Sequence, residues 1–256
     1  MISCKNCGRR FDSAFCPSCG QKSSVKRLEM RTLLAELPSA IWHVDRGLVF
    51  NLIELFKRPG YAIRDYLDGK RKNFYHPVSY LLVVLATMFI AMNVLQIHYY
   101  DPRRDAWMTP DQAAFWKDYD ATQQAWIHYY KYFVPFYLPW MALFFYGWLR
   151  VMRAPYTYAE ALCIAFFVSA QMTVPQIVVL VLAYTVDNPA FTRASEQWIN
   201  YPVLLCLFGF QIYQLGSRSL KTGARAALAV LGAVLMLAFA FTAIGLFLAL
   251  VNAIAS

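Results

Sequence analysis

Long apolar runs broken by short polar stretches fill the later two-thirds of the chain. Residues 78–97, VSYLLVVLATMFIAMNVLQI, carry no charged side chain over twenty positions. That is the length that about 30 Å of hydrocarbon requires at about 1.5 Å of helix per residue. Similar runs cover 132–150, closed by Arg150 and Arg153, then 159–184, 199–215 and 226–251. The pattern predicts about five transmembrane helices within residues 78–256. The run at 199–215 is the shortest, and the count falls to four if it does not cross.

Before these runs the period changes. Leu33, Leu34, Leu37, Ile41 and Trp42 recur at helical spacing, and Leu48, Val49, Leu52, Ile53 and Phe56 repeat it after Gly47. Arg31, Glu36, Asn51, Glu54, Lys57 and Arg58 fall largely off those stripes. Residues 25–77 therefore read as amphipathic helices whose apolar faces lie on a leaflet or against the spans. Pro59-Gly60 is expected to end the second helix, with a short third at about 61–67. Between the first two spans, Thr109-Pro110-Asp111-Gln112 reads as a helix start, predicting a separate helix over about 110–130. Its aromatics, with Trp107, suit a membrane interface, Trp116, Trp126, Tyr129 and Tyr130 among them; a lid over a cavity is the other reading.

Composition agrees with a bilayer as solvent. Hydrophobic residues make up 59% of the 256 positions and charged residues 15%, against about 25% charged in soluble domains. The 24 Lys and Arg outnumber the 15 Asp and Glu. Residues 1–31 are polar and show no apolar signal region, so the N-terminus is expected on the cytoplasmic side. That orientation places 19 basic residues inside and 5 outside, the bias that sets membrane topology. An odd number of spans then puts the C-terminus outside. Nucleic acid is disfavoured as a partner, because the basic residues flank spans and no recognition fold accompanies them.

Residues 1–24 hold the clearest chemistry. Cys4-Lys5-Asn6-Cys7-Gly8 and Cys16-Pro17-Ser18-Cys19-Gly20 are two C-x-x-C-G turns. Each turn offers two thiolates, and tetrahedral zinc takes four. A glycine after each pair permits positive φ beside the metal. The pattern predicts a Cys4-type structural zinc ribbon with Zn2+ held by Cys4, Cys7, Cys16 and Cys19. Disulfides are disfavoured on the cytoplasmic side, and an iron–sulfur cluster suits such close knuckles less well. A closed four-thiolate site folds a segment and does not catalyse. Cys163 and Cys206 fall inside predicted spans, where a lone Cys packs as a small hydrophobe.

The ribbon, the two amphipathic stretches, His43-Val44-Asp45, Lys57-Arg58-Pro59-Gly60, Tyr66-Leu67-Asp68-Gly69-Lys70-Arg71-Lys72 and His76-Pro77 together resemble a bacterial family of membrane proteins, the domain-of-unknown-function family numbered 3667. The resemblance covers residues 4–97 best. Pro155-Tyr156-Thr157-Tyr158-Ala159-Glu160-Ala161 also resembles the segment entering a span in that family and in Yip-type five-span proteins. The resemblance implies a multi-pass topology and brings no activity with it. Helical spans in such a bacterial protein imply the inner membrane.

Lys70, Arg71 and Lys72, with Lys57, Arg58 and Arg64, form a basic collar before the first span, and each such charge contributes about 1 kcal/mol near an anionic leaflet. Arg58, Arg64, Lys70, Arg71, Lys72, His43, Asp45 and His76 are thus candidates for a lipid headgroup or a partner. His43 and Asp45 are two apart, about 200° around a helix, which favours a capping or interhelical role over catalysis. Glu160, Gln171, Gln176 and Gln211 fall in or near spans without forming a chain of ionisable groups, as a proton-coupled carrier would need. Pro175 can interrupt the third span. The sequence therefore predicts an all-α integral membrane protein with an N-terminal zinc ribbon and cytoplasmic amphipathic helices. It reads as a non-enzymatic adaptor or scaffold that binds a protein partner or anionic lipid at the inner leaflet. The alternative is a lipid transporter or lipid-modifying enzyme whose site, at the cytoplasmic mouth, is built from His43, Asp45, Arg58, Arg64 and Lys70 to Lys72.

Overall fold

The computed structural model describes residues 1–25, 27–30, 47–95, 98–103 and 105–255. The first amphipathic stretch, with His43 and Asp45, lies outside the described residues. Two short antiparallel strands, β1 (Ile2–Ser3) and β2 (Arg10–Phe11), belong to the N-terminal ribbon. The rest is helical: α1 (Gly47–Lys57), α2 (Pro59–Leu67), α3 (Pro77–Leu95), α4 (Pro110–Val151), α5 (Tyr158–Val186), α6 (Pro189–Ser195), a π-helical turn (Glu196–Asn200), α7 (Tyr201–Leu215) and α8 (Thr222–Ala255). Among the described residues, α3, α5 and the Thr222–Phe247 part of α8 are long and apolar enough to cross a membrane. The chain is thus a multi-pass helical membrane protein.

Helix α5 is the centre of the bundle. Its ribbon-proximal half is largely apolar and largely buried, from Ala161 through Cys163, Ile164 and Phe167 to Ala170, as a helix packed among others must be. Tyr66 of α2 meets Phe167 edge to face at 5.2 Å between ring centroids. The Tyr80 hydroxyl donates to Gln171 Oε1 at 3.2 Å, deep in the bundle. Pro175 leaves α5 unbroken, because the carbonyl it frees can be resatisfied inside a helix bundle. Leu82, Ile90, Val94, Val178, Leu231 and Leu235 face outward and exposed, an apolar surface that lipid covers.

Three sequence expectations change. The helix from Pro110 is not separate from the second apolar run: α4 runs 42 residues to Val151. Its start is as expected, with Thr109 and Gln112 forming a reciprocal capping box, but no glycine interrupts it before Gly147. Pro59-Gly60 begins α2 instead of ending α1, since proline is well placed in the first helical turn. In α1 the polar Asn51 is fully buried, pairing through its side-chain amide with both backbone groups of Tyr75 (3.0 and 3.2 Å). In the predicted stripe Leu48 packs against the core, while Val49, Leu52, Ile53 and Phe56 are exposed, the placement of a face turned to a leaflet.

Helices α2 and α7 cap each other. Gln214 Oε1 accepts from the backbone N–H groups of Gly60 (2.9 Å) and Tyr61 (3.1 Å), satisfying two free donors of the first turn of α2. Arg64 reaches back to the carbonyls of Leu215 and Gly216, the latter at 2.6 Å, at the other helix's C-terminal end. This contact needs glycine at position 60, where a Cβ would lie 2.5 Å from the Gln214 Cβ and 2.7 Å from the Gln211 carbonyl oxygen. Alanine favours a helix interior over glycine by about 1 kcal/mol, but the atoms it would strike belong to backbone and Cβ and cannot swing away. Gly60→Ala is therefore expected to destabilise by about 1–3 kcal/mol, read as a lowered unfolding midpoint in detergent. An unchanged or raised midpoint would show that α2 is not seated on α7.

The loop between α3 and α4 is pinned to α6 by a buried ion pair. Arg193 Nη2 lies 2.8 Å from Asp105 Oδ1 and its Nη1 lies 3.1 Å from Oδ2, with side chains 8% and 2% exposed. Nη1 also donates to the Tyr99 carbonyl at 2.6 Å. The Trp116 ring covers the guanidinium at 5.1 Å. Trp107 is exposed, as an interfacial anchor would be.

Candidate metal centre

The two knuckles have the same backbone geometry. Gly8 N–H donates to the Cys4 carbonyl (2.9 Å) and Gly20 N–H to that of Cys16 (2.8 Å). Cys4 N–H donates to Arg9 O and Cys16 N–H to Gln21 O, each five residues on. Gly8 and Gly20 take φ of +78° and +72°, the left-handed region the turn requires. The folded knuckles bring four sulfurs within 4.8 Å of one another. Cys4 to Cys19 and Cys7 to Cys16 are both 3.6 Å apart. Ligands about 2.3 Å from a tetrahedral zinc sit at about this separation from each other, so the donor set and its spacing fit the ion.

Electrostatics point the same way. The Cys7 amide holds the Cys4 thiol below its ordinary value. At Cys16 burial opposes ionisation, but the amides of Cys19 and Ser18 outweigh it and bring the thiol down to about 7. Cys7 is favoured as a thiolate by the Arg9 amide, yet burial and the adjacent sulfurs push it up to about 12. Crowded sulfurs cannot all ionise unless a cation shares their charge, and a divalent soft-tolerant ion supplies it. Apart from these cysteines the ribbon buries one large apolar side chain, Phe11. That is too little apolar area to hold a fold of this size.

The ribbon rests on the loop after α2. Gln21, next after the second knuckle, is buried; its Nε2 donates to the Gly69 carbonyl (2.8 Å) and its Oε1 accepts from the amides of Arg71 (3.1 Å) and Lys72 (3.2 Å). Lys5 Nζ donates to the Val25 carbonyl at 3.0 Å. Arg27 then forms a two-pronged pair with Glu160, at 2.7 and 2.9 Å, where α5 begins. Glu160 also caps that helix with Thr157. Leu28 joins the core of the bundle.

The basic candidates are largely engaged within the protein. Arg58 pairs with Glu54 and Asp65, and Lys70 pairs with Asp65 at 2.7 Å. Arg71 lies over the Tyr66 ring at 5.3 Å. Arg64 holds the end of α7 and bonds the Tyr156 hydroxyl at 3.2 Å. Lys72 is exposed beside Gly20. His76 stands at the entry to α3 on the same end of the bundle. The structure thus gathers Arg58, Arg64, Lys70, Arg71, Lys72 and His76 at the ribbon end. It adds Gln21 and Arg27, which the sequence did not single out. The position of Gln21, matching Arg9 of the first knuckle, was the available signal.

The family model for a protein of unknown function, DUF3667, matches residues 45–89, a stretch that includes α1, α2 and most of α3. No curated protein and no solved structure matches the chain. The matched stretch holds the Pro59-Gly60 contact and the Gly69 to Lys72 platform, so the chain is similar to that family where its ribbon meets its bundle.

Proposed function

We propose that the chain is a non-enzymatic adaptor of a bacterial inner membrane, with five spans, the N-terminus cytoplasmic and the C-terminus outside. The C-terminal half of α4 and the 199–215 run complete the five crossings. A structural zinc ion on Cys4, Cys7, Cys16 and Cys19 rigidifies the ribbon, and the ribbon presents a partner-binding face at the inner leaflet. One observation carries the reading: Gln21 fastens the ribbon to the Gly69 to Lys72 loop, so the metal site is built onto the bundle and does not hang from a tether. The closed sulfur set supports a structural role. The ribbon carries exposed Ile2 and Phe15 with exposed Arg9, Arg10 and Lys22, side chains suited to an acidic protein segment with an apolar anchor. The exposed stripe Val49, Leu52, Ile53 and Phe56, beside the basic collar, supports contact of α1 with anionic lipid.

A photo-crosslinking residue placed at Phe15 in native membranes tests this. Discrete protein adducts that disappear in the Arg9→Glu/Arg10→Glu variant and in the four-Cys→Ser variant are the expected result. Adducts to lipid alone, or protein adducts indifferent to both variants, would overturn it.

A further inference from the structure

At the end of the bundle away from the ribbon lies a cavity of about 440 Å³, within the range of small-ligand sites. It is lined by the distal parts of α3 and α5, the π turn and the start of α7, and facing stretches of α4 and α8. Its wall is apolar and rich in methionine, with Met88, Met92, Met141, Met172, Met236 and Phe208. Methionines fill irregular gaps and adapt to varied occupants. One end is polar, formed by Tyr99, Tyr119, Gln123, Glu196, Asn200 and Tyr201.

The polar end is built by the π turn. Pro202 has no N–H to donate, and just before it the Tyr201 N–H reaches Glu196 O, five residues back. The widened turn, a feature often found at functional sites, brings Glu196 and Asn200 together. Asn200 Nδ2 donates to Glu196 Oε2 at 2.7 Å, and the Tyr99 hydroxyl donates to Oε1 at 3.3 Å. This fixes the orientation of the Asn200 amide, because its oxygen would be repelled by the carboxylate. Asn200 Oδ1 is then left buried with no donor among the described residues, on a side chain 5% exposed. Among the described residues no Lys, Arg or His pairs with Glu196. A buried acceptor without a donor costs free energy, as does a carboxylate without a counter-charge. Both demands are met by one kind of guest.

We propose that this cavity binds a single-chain amphiphile with an ammonium head, the head seated between Glu196 and Asn200 Oδ1 and the chain among the methionines. The volume suits one chain better than a two-chain lipid. Tyr99 belongs to the loop pinned by Asp105 and Arg193, and Tyr119 and Gln123 to the N-terminal part of α4, so both segments line the polar end.

The test uses the full zinc-loaded chain in phosphatidylcholine nanodiscs, with radiolabelled dodecylamine, dodecanol and dodecanoate as probes. Empty nanodiscs are subtracted for partition into lipid. Saturable binding of about one dodecylamine per chain is expected, at least tenfold tighter than dodecanoate, with Glu196→Gln and Asn200→Leu each weakening it at least tenfold. Ala240→Phe, on the apolar wall, should abolish it and covers the case in which a polar-end variant fails to fold. Uptake that never saturates, equal affinity for the amine and the carboxylate, or binding unaffected by Ala240→Phe would overturn the proposal. Dodecanol binding as tightly as the amine would also overturn the ammonium assignment. The ribbon takes no part here, so failure leaves the adaptor reading untouched.

Discussion

Replacing Cys4, Cys7, Cys16 and Cys19 with Ser is expected to take bound zinc from about one ion per chain to none and to unfold residues 1–24 while the bundle stays helical. The reason is the size of the ribbon's interior. Phe11 is its single large buried apolar side chain outside the cysteines, so a bound metal is expected to supply the cohesion that a core would otherwise give. Zinc quantified by mass spectrometry, with limited proteolysis between Lys5 and Lys22, checks both halves. Protease resistance without metal would show that the ribbon folds by packing alone. Affinity for zinc is expected to fall as pH drops, because protons compete for the sulfurs.

Asp105→Ala is expected to lower stability by about 3 kcal/mol, the lower end for breaking a buried ion pair. The loss arises because Arg193, 8% exposed, keeps its charge in a site that no longer balances it. Asp105→Leu combined with Arg193→Met should cost less than the single change, as no bare charge remains. Equal losses in the single and double variants would show that the pair contributes only through contact area. Unfolding midpoints in detergent decide between them. The hydrogen bonds from Arg193 hold the Asp105 carboxyl below its ordinary value. A carboxyl lowered on folding stabilises the protein above its unfolded pKa of about 3.9, and the contribution is lost as pH falls through the folded value. Stability from this pair should therefore be flat from about pH 5 to 8 and drop only below about pH 4, and Asp105→Asn should remove that acid dependence.

Local features of this fold were readable from the chain alone, and distant ones were not. The ribbon is a local object: each C-x-x-C-G turn closes on its own hydrogen bonds, so spacing alone announces it. The apolar runs are equally local, because hydrocarbon excludes charge wherever the partner helices lie. The contacts that assemble the molecule join residues far apart, Arg27 with Glu160, Gln214 with Gly60 and Arg193 with Asp105, and a single sequence does not show which polar residues will meet. The basic collar illustrates the limit. Counting charges before the first span marks a membrane side, but it cannot show that Arg64 is bound to the end of α7 or that Lys70 faces Asp65. Burial misled in the same way at Asn51, which reads as surface by its amide and is fully enclosed because Tyr75 offers both a donor and an acceptor. The cavity's polar end was also hidden, since neither Glu196 nor Asn200 belongs to a motif.

The grip of Arg27 on Glu160 also orders events during synthesis. The two partners are separated by 133 residues, which at about 5–20 residues per second is a delay on the order of ten seconds. The N-terminal segment thus leaves the ribosome with its α5 partner absent, and until that helix has been threaded into the bilayer it can be held only by the Gly69 to Lys72 loop. Seating of the N-terminus then reports that the third apolar segment has been inserted, and a chain that stalls earlier would expose the unfastened segment to quality-control proteases.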